Sequence, residues 1–183
     1  MIYETIGFLE LNSIAKGIEA ADAMLKAAEV TLLSAKPSCP GKYHVLIHGE
    51  VAAVTSSIKA GVKVGGAHVI EKTVIPRVHP QVIEAINLAT PMYERNALGI
   101  LEFFSVTSAI MGADAAVKAA EINLIEVRLG TGIGGKSFVT FTGEVAAVSE
   151  SCKAGAAAGG SNGMLVDSVV IPSPREEIFR AVM

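Results

Sequence analysis

Apolar and polar residues alternate between two periods along this chain, and each change of period marks an element. Residues 3–12 read as a strand. In residues 13–28 the period lengthens: Ile14, Ile18, Ala21, Leu25 and Ala28 recur at helical spacing and are expected to face inward, with Ser13 as the N-cap. Val30 to Lys36 and Tyr43 to Gly49 return to strand character. Residues 50–65 predict a second helix with Val51, Val54, Ile58 and Val62 inward. His68 to Ile75 predicts a fourth strand, stopped by Pro76, and a short helix is expected from Pro80. The order is β-α-β-β-α-β. It predicts an α+β, ferredoxin-like unit with a mixed, mostly antiparallel sheet.

The same pattern is then written a second time. Ala21-Asp22-Ala23-Met24-Leu25-Lys26 recurs as Ala113-Asp114-Ala115-Ala116-Val117-Lys118, a separation of 92 residues. Gly49-Glu50-Val51-Ala52-Ala53-Val54 recurs as Gly143-Glu144-Val145-Ala146-Ala147-Val148, at 94, and Val74-Ile75-Pro76 recurs as Val170-Ile171-Pro172, at 96. The separation grows only across loops, where insertions are tolerated. Two long repeats indicate tandem duplication, giving domains at residues 1–90 and 91–183 with a seam near Asn87-Leu88-Ala89-Thr90-Pro91. The second helix of each half is rich in Ala and Gly, which points to close helix–sheet packing.

Composition narrows the function. Apolar residues make up 51% of the 183, aromatic residues 5% and charged residues 18%. That charged fraction lies below the ~25% of an ordinary soluble domain and points to self-association. A net charge of −3 with no basic block gives no reason to expect nucleic acid. No apolar run reaches the ~18 residues of a membrane span. Met1-Ile2-Tyr3-Glu4 lacks the features of a signal peptide, and two cysteines do not make a disulfide framework, so a cytosolic protein is expected.

Candidate chemistry sits in two loops. Lys36-Pro37-Ser38-Cys39-Pro40-Gly41-Lys42 separates two strands and carries a thiol between prolines. Its counterpart, Gly130-Thr131-Gly132-Ile133-Gly134-Gly135-Lys136, carries none; a separation of 94 sets Ile133 opposite Cys39. With Ser137 the second loop satisfies G-x-x-x-x-G-K-[ST], a phosphate-binding signature. That chemistry requires a helix after the loop, and Ser137 to Thr142 alternates like a strand. Cys152 occupies an inward helix position and reads as a small hydrophobe. His44 and His48 stand four apart in a strand, about 13 Å, too far for one metal, and are expected at a surface or interface. Glu10 and Glu102 are related by the repeat and read as structural. No nucleophile–base arrangement emerges, and no enzymatic activity is expected; a nucleotide-binding enzyme is the reading from another class.

Taken together, Gly7-Phe8-Leu9-Glu10, the Ala-Asp-Ala-Met-Leu-Lys segment, the glycine-bearing loops, Gly-Glu-Val-Ala-Ala-Val and Val74-Ile75-Pro76-Arg77 resemble bacterial microcompartment shell proteins, twice over nearly the whole chain. The duplicated form resembles the tandem-domain members, so the resemblance implies a homotrimer shaped as a pseudohexamer. It also implies that Ser38, Cys39, Pro40, Gly41 and Lys42 line a central pore with Gly132, Ile133, Gly134 and Gly135. Lys26 and Lys118 match an edge lysine and Arg77 an edge arginine that contact other shell proteins; the second half departs there, with Ser173 and, nearby, Arg175. Ser-Cys-Pro-Gly-Lys is similar to the propanediol-utilisation type, which implies a [4Fe-4S] cluster ligated by Cys39 from three chains. Such a cluster is held by thiolates, normally four, and one chain has only Cys39 and Cys152. The implied role is electron transfer or cluster delivery across the shell of a cytoplasmic compartment, with an encapsulated redox enzyme as a further partner. The alternative is a pore for small metabolites without a metal centre.

Overall fold

The computed structural model describes residues 4–91 and 93–183. The chain forms two compact units, the first ending at Val78 and the second beginning at His79. In the first unit, strand β1 (Glu4–Leu11) leads to helix α1 (Ile14–Ala27), the hairpin β2 (Thr31–Ser38) and β3 (Lys42–Gly49), helix α2 (Val51–Gly65) and strand β4 (Val69–Val78). The second unit opens with helix α3 (Pro80–Ile86) and repeats the series as β5 (Ala97–Phe103), α4 (Val106–Ala119), β6 (Asn123–Leu129), β7 (Ser137–Gly143), α5 (Val145–Gly159) and β8 (Leu165–Ile171). It closes with α6 (Glu176–Ala181).

The sheet orders are β2-β3-β1-β4 and β6-β7-β5-β8, and every neighbouring pair is antiparallel. The expectation of a mixed sheet is therefore corrected. Strands joined through a helix are never adjacent, because β3 or β4 (β7 or β8 in the second unit) takes the place beside the first strand. The Ser13 cap is as expected, its Oγ accepting from the Lys16 amide at 3.3 Å; Ser105 caps α4 in the same way, its Oγ accepting from the Ser108 amide at 3.1 Å.

Helix α1 is rotated relative to its expected orientation. Ile14, Ile18 and Leu25 are 42%, 54% and 40% exposed. The buried face is Gly17, Ala20, Ala21 and Met24, which also recurs at helical spacing. Proximity explains the choice. A Cβ on Gly17 would lie 2.4 Å from Tyr43 Cδ1, and one on Gly61 of α2 would lie 2.6 Å from Met24 Cγ. At these points the helices sit too close to the sheet and to each other for a larger side chain, so on α1 the face carrying Gly17, Ala20 and Ala21 turns inward. Val51 likewise faces outward, whereas Val54 and Ile58 join Leu9, Leu11, Val45 and Ile47 in the core.

The seam also moves. Helix α3 packs on β6 and α4 of the second unit. The His79 amide donates to Asp114 Oδ1 at 2.8 Å, and Gln81 Oε1 accepts from the Leu124 amide at 3.0 Å. The polar stretch Asn87 to Pro91 thus lies inside the second unit rather than between the two.

The second unit uses the same close approach. A Cβ on Gly155 would stand 2.8 Å from the backbone oxygen of Gly112 and 2.5 Å from Leu101 Cδ1. Ala outranks Gly by about 1 kcal/mol in helix propensity, but here the clash is with backbone. Gly155→Ala is expected to destabilise the protein by about 1–3 kcal/mol, measured by urea unfolding; unchanged or higher stability would show that the helices can separate freely.

Candidate functional site

The β2–β3 hairpin ends in the pair Ser38–Lys42, leaving Cys39, Pro40 and Gly41 as a three-residue turn. Gly41 takes φ 72°, the left-handed conformation that such a turn requires. Cys39 is a free, half-buried thiol at this turn. Beside it, Ser38 is buried and its hydroxyl has no hydrogen-bond partner.

An ion pair secures the base of the loop. Lys42 Nζ donates to Glu10 Oε2 on β1 at 2.9 Å, and the Glu10 side chain is only 10% exposed. The second unit repeats it, with Lys136 Nζ 2.5 Å from Glu102 Oε1. Glu10 and Glu102 are therefore structural, as their repeat relationship suggested: each ties the strand after the loop to the first strand of its sheet.

The second loop is longer. Its last strand pair is Leu129–Ser137, and the Gly130 amide donates to Lys136 O at 3.1 Å and to Ser137 Oγ at 3.2 Å. Thr131 to Gly135 make the turn, two residues more than in the first loop, which places the change of repeat separation within the loop itself. Ile133 is consequently not a unique counterpart of Cys39. Gly132 and Gly134 take φ 77° and 68°, with nothing within 4 Å of where a Cβ would stand. Strand β7 follows directly, so no helix N-terminus faces the loop and the phosphate-binding reading has no structural support.

His44 and Cys152 complete the surroundings. His44 is fully buried, which corrects the surface placement expected for it. Its Nε2 lies 3.3 Å from Ser34 Oγ, its Nδ1 has no partner, and the Phe8 ring centroid is 6.2 Å away. Burial, and secondarily the charge of Lys36, lower its pKa to about 4, so it is neutral at pH 7. The strand alternation that marked β3 did not reveal this burial, because it cannot show what covers each face. His48 instead hydrogen-bonds Glu4. Cys152 is buried on α5, and burial pushes its thiol pKa up, in keeping with a packing role.

The remaining candidate residues lie elsewhere. Lys26 and Lys118, in the last turns of α1 and α4, pair with Asp22 and Asp114 at 2.6 Å each. Arg77, at φ 57°, lines a cavity of about 310 Å³ with Glu4, Glu29 and Glu50. Along α1, Lys26 stands about 13 Å of helix rise beyond Gly17, the residue that touches Tyr43 next to the cysteine loop. The loop and the Lys26 end therefore form separate regions. Among the described residues, no three His, Cys, Asp or Glu side chains are grouped to hold a metal.

The BMC domain matches this chain twice, at residues 5–78 and 97–174. The Citrobacter freundii protein "Bacterial microcompartment shell protein PduT" is 41% identical over 180 residues, covering 98% of each chain. A crystal structure of a microcompartment protein from Desulfitobacterium hafniense DCB is 56% identical, with a TM-score of 0.95 and coverage of 98% and 99%. A fused, permuted hexameric shell protein from the RMM microcompartment is 22% identical over 86% of this chain and 84% of its own, with a TM-score of 0.62, and shares the fold. The chain belongs to the BMC domain family. It is a tandem-domain shell protein of a bacterial microcompartment, a structural component rather than an enzyme. Among the described residues, no helix is long and apolar enough to cross a membrane.

His44 makes stability depend on pH. Its folded pKa of about 4 lies below the ordinary 6.5, so the unfolded chain binds the proton more readily. Stability is full above pH 6.5 and declines as pH falls towards 4, by a maximum on the order of 3 kcal/mol. Burial also lowers the pKa of His48 and His79, so the contribution is isolated by comparison with His44→Gln. Urea midpoints across pH 4–7 are expected to fall less steeply in that variant; parallel curves would show that His44 is not held neutral.

Proposed function

We propose that this shell protein assembles as a homotrimer, a pseudohexamer of six BMC domains. In it the Cys39 loops gather on the three-fold axis, and three Cys39 thiolates hold one [4Fe-4S] cluster. A free, half-buried thiol at the turn of a short anchored hairpin carries this reading. The donor set fits a shared site: one chain contributes a single accessible thiol, and three copies contribute three. The fourth iron site is left to water, a small molecule or an external donor. Bound there, the cluster would supply one-electron transfer between the two faces of the shell.

The chain's own residues support that role. The Lys42–Glu10 pair and Pro37 and Pro40 restrict the loop that presents the thiol. Gly41 and Lys42 carry amides that can donate to cluster sulfurs, which Pro40 lacks. The longer, cysteine-free loop with Gly132, Ile133, Gly134 and Gly135 would alternate with it around the axis. An encapsulated redox enzyme would be one partner for that electron transfer.

The test is iron and acid-labile sulfide per trimer on protein purified without oxygen, beside Cys39→Ala. Four of each per trimer, lost in the variant, are expected from one shared cubane. Little iron after anaerobic reconstitution would favour a pore for small metabolites, with Cys39 as lining.

We further assign Lys26, Lys118 and Arg77 to contacts with neighbouring shell proteins. Lys26 is exposed at the end of α1 and pairs with Asp22 across one helical turn. Lys26→Ala is expected to leave the trimer intact and to slow the formation of extended sheets, followed by electron microscopy; sheets forming as readily as before would remove this residue from the edge.

A further inference from the structure

The two repeats differ in charge at one matching place, where the second helix of each unit meets the last strand of its sheet. In the first unit a groove of about 370 Å³ opens there between α2 and β4. Ile58 and Val62 of α2 and Val74 of β4 line it. Ile58 belongs to the core of that unit, and Val62 and Val74 pack against the same core, so the apolar wall is backed by packed side chains. Two lysines flank this wall, Lys59 from the helix and Lys72 from the strand.

These cations are not neutralised within the chain. Lys59 and Lys72 are exposed, as is Lys63 one turn further along α2, and among the described residues none of the three has an ion-pair partner. Glu71 precedes Lys72, but successive residues of a strand face opposite sides of the sheet. Lys72 stands beside Leu9, on the side of the helices, and Glu71 beside Glu10, on the other.

The second unit lacks this arrangement. At a separation of 94 on the helix and 96 on the strand, Lys153 stands for Lys59, Ala157 for Lys63, Ala156 for Val62 and Ser168 for Lys72. Its one remaining cation, Lys153, lies 3.7 Å from Glu150, where the first unit has Ser56. Since the second unit forms the same helix and strand without Lys63 and Lys72, the fold itself does not need them.

We propose that the groove between α2 and β4 binds a small amphipathic carboxylate, with its apolar chain along Ile58, Val62 and Val74 and its head group between Lys59 and Lys72. The volume falls within the range of small-molecule sites, about 300–1,000 Å³, and apolar walls with a few charged groups are their usual make-up. Both ends of the ligand are needed. An exposed ion pair alone gains little, whereas each buried methylene strengthens binding by up to about 4-fold. The site lies wholly within the first unit and is independent of the trimer and the cluster proposed above.

The test is a titration of full-length protein with sodium octanoate, followed by NMR of carbon-13-labelled Ile and Val methyl groups, with butanoate and octanol as controls. Octanoate is expected to shift the Ile58, Val62 and Val74 methyls saturably and to bind at least ~10-fold more tightly than butanoate, which lacks most of the chain. Octanol, which lacks the charge, is expected to bind ~10-fold more weakly as well. Lys72→Ser, the exchange that the second repeat already carries, is expected to weaken octanoate by ~10-fold with the methyl spectrum otherwise preserved. Lys59→Gln, at an exposed side chain, is expected to do the same. Equal affinity in the parent and both variants, octanol binding as tightly as octanoate, or no saturable shift of these methyls at millimolar octanoate would overturn the site. An acidic, leucine-bearing peptide that shifts them where octanoate does not would overturn the small-molecule occupant and assign the groove to a protein segment.

Discussion

Close approach between helices and sheet is the constraint on which the rest of this structure depends. Gly17 against Tyr43, Gly61 against Met24 and Gly155 against the Gly112 carbonyl leave no space for a β-carbon. Dense packing of this kind gains dispersion contacts that individually are small and together are large. It also makes each unit thin and turns the branched apolar residues of α1 outward, where they cannot be satisfied by their own unit. Ile14, Ile18 and Leu25 are thereby left exposed on the surface of the chain.

The same economy governs the loops. In each hairpin a lysine at or just before the start of the second strand pairs with a glutamate on the first strand of the sheet, so the loop is anchored at its base and varies at its turn. The first turn is short and presents one thiol. The second is two residues longer, glycine-rich and without a thiol. Tandem duplication thus lets one loop of the chain carry a thiol while its counterpart carries none; in the proposed trimer this would limit the thiolates at the axis to three. Buried, neutral His44 lies next to Lys42 and Tyr43 in the strand that supports the first turn, so the hairpin is held by packing as well as by the ion pair.

Much of this was legible beforehand. The repeat, the order of elements, the Ser13 cap and the structural role of Glu10 and Glu102 all follow from local signals, because strand alternation, capping chemistry and self-similarity act over a few residues. The orientation of α1 was not legible. Ile14, Ile18, Ala21, Leu25 and Ala28 describe one apolar stripe and Gly17, Ala20, Ala21 and Met24 another; they share Ala21, which is buried as expected. Hydrophobicity favours the first, while the space between helix and sheet admits only the second. The seam was misplaced for a similar reason: Asn87 to Pro91 has the composition of a linker, but the side chain of Gln81 and the amide of His79 bind α3 to the second unit.

The amino-acid sequence by itself determined that this chain is a duplicated α+β protein of the BMC domain family with a single cysteine-bearing loop, since those properties reside in short-range patterns and in the comparison of one half with the other. Only the tertiary structure decided which faces are inside. It buried His44, turned the isoleucines of α1 outward, placed the extra residues of the second loop in its turn, and covered β6 while leaving β2 open. Burial depends on what lies across several ångströms of space, and that information is distributed over residues far apart in the chain.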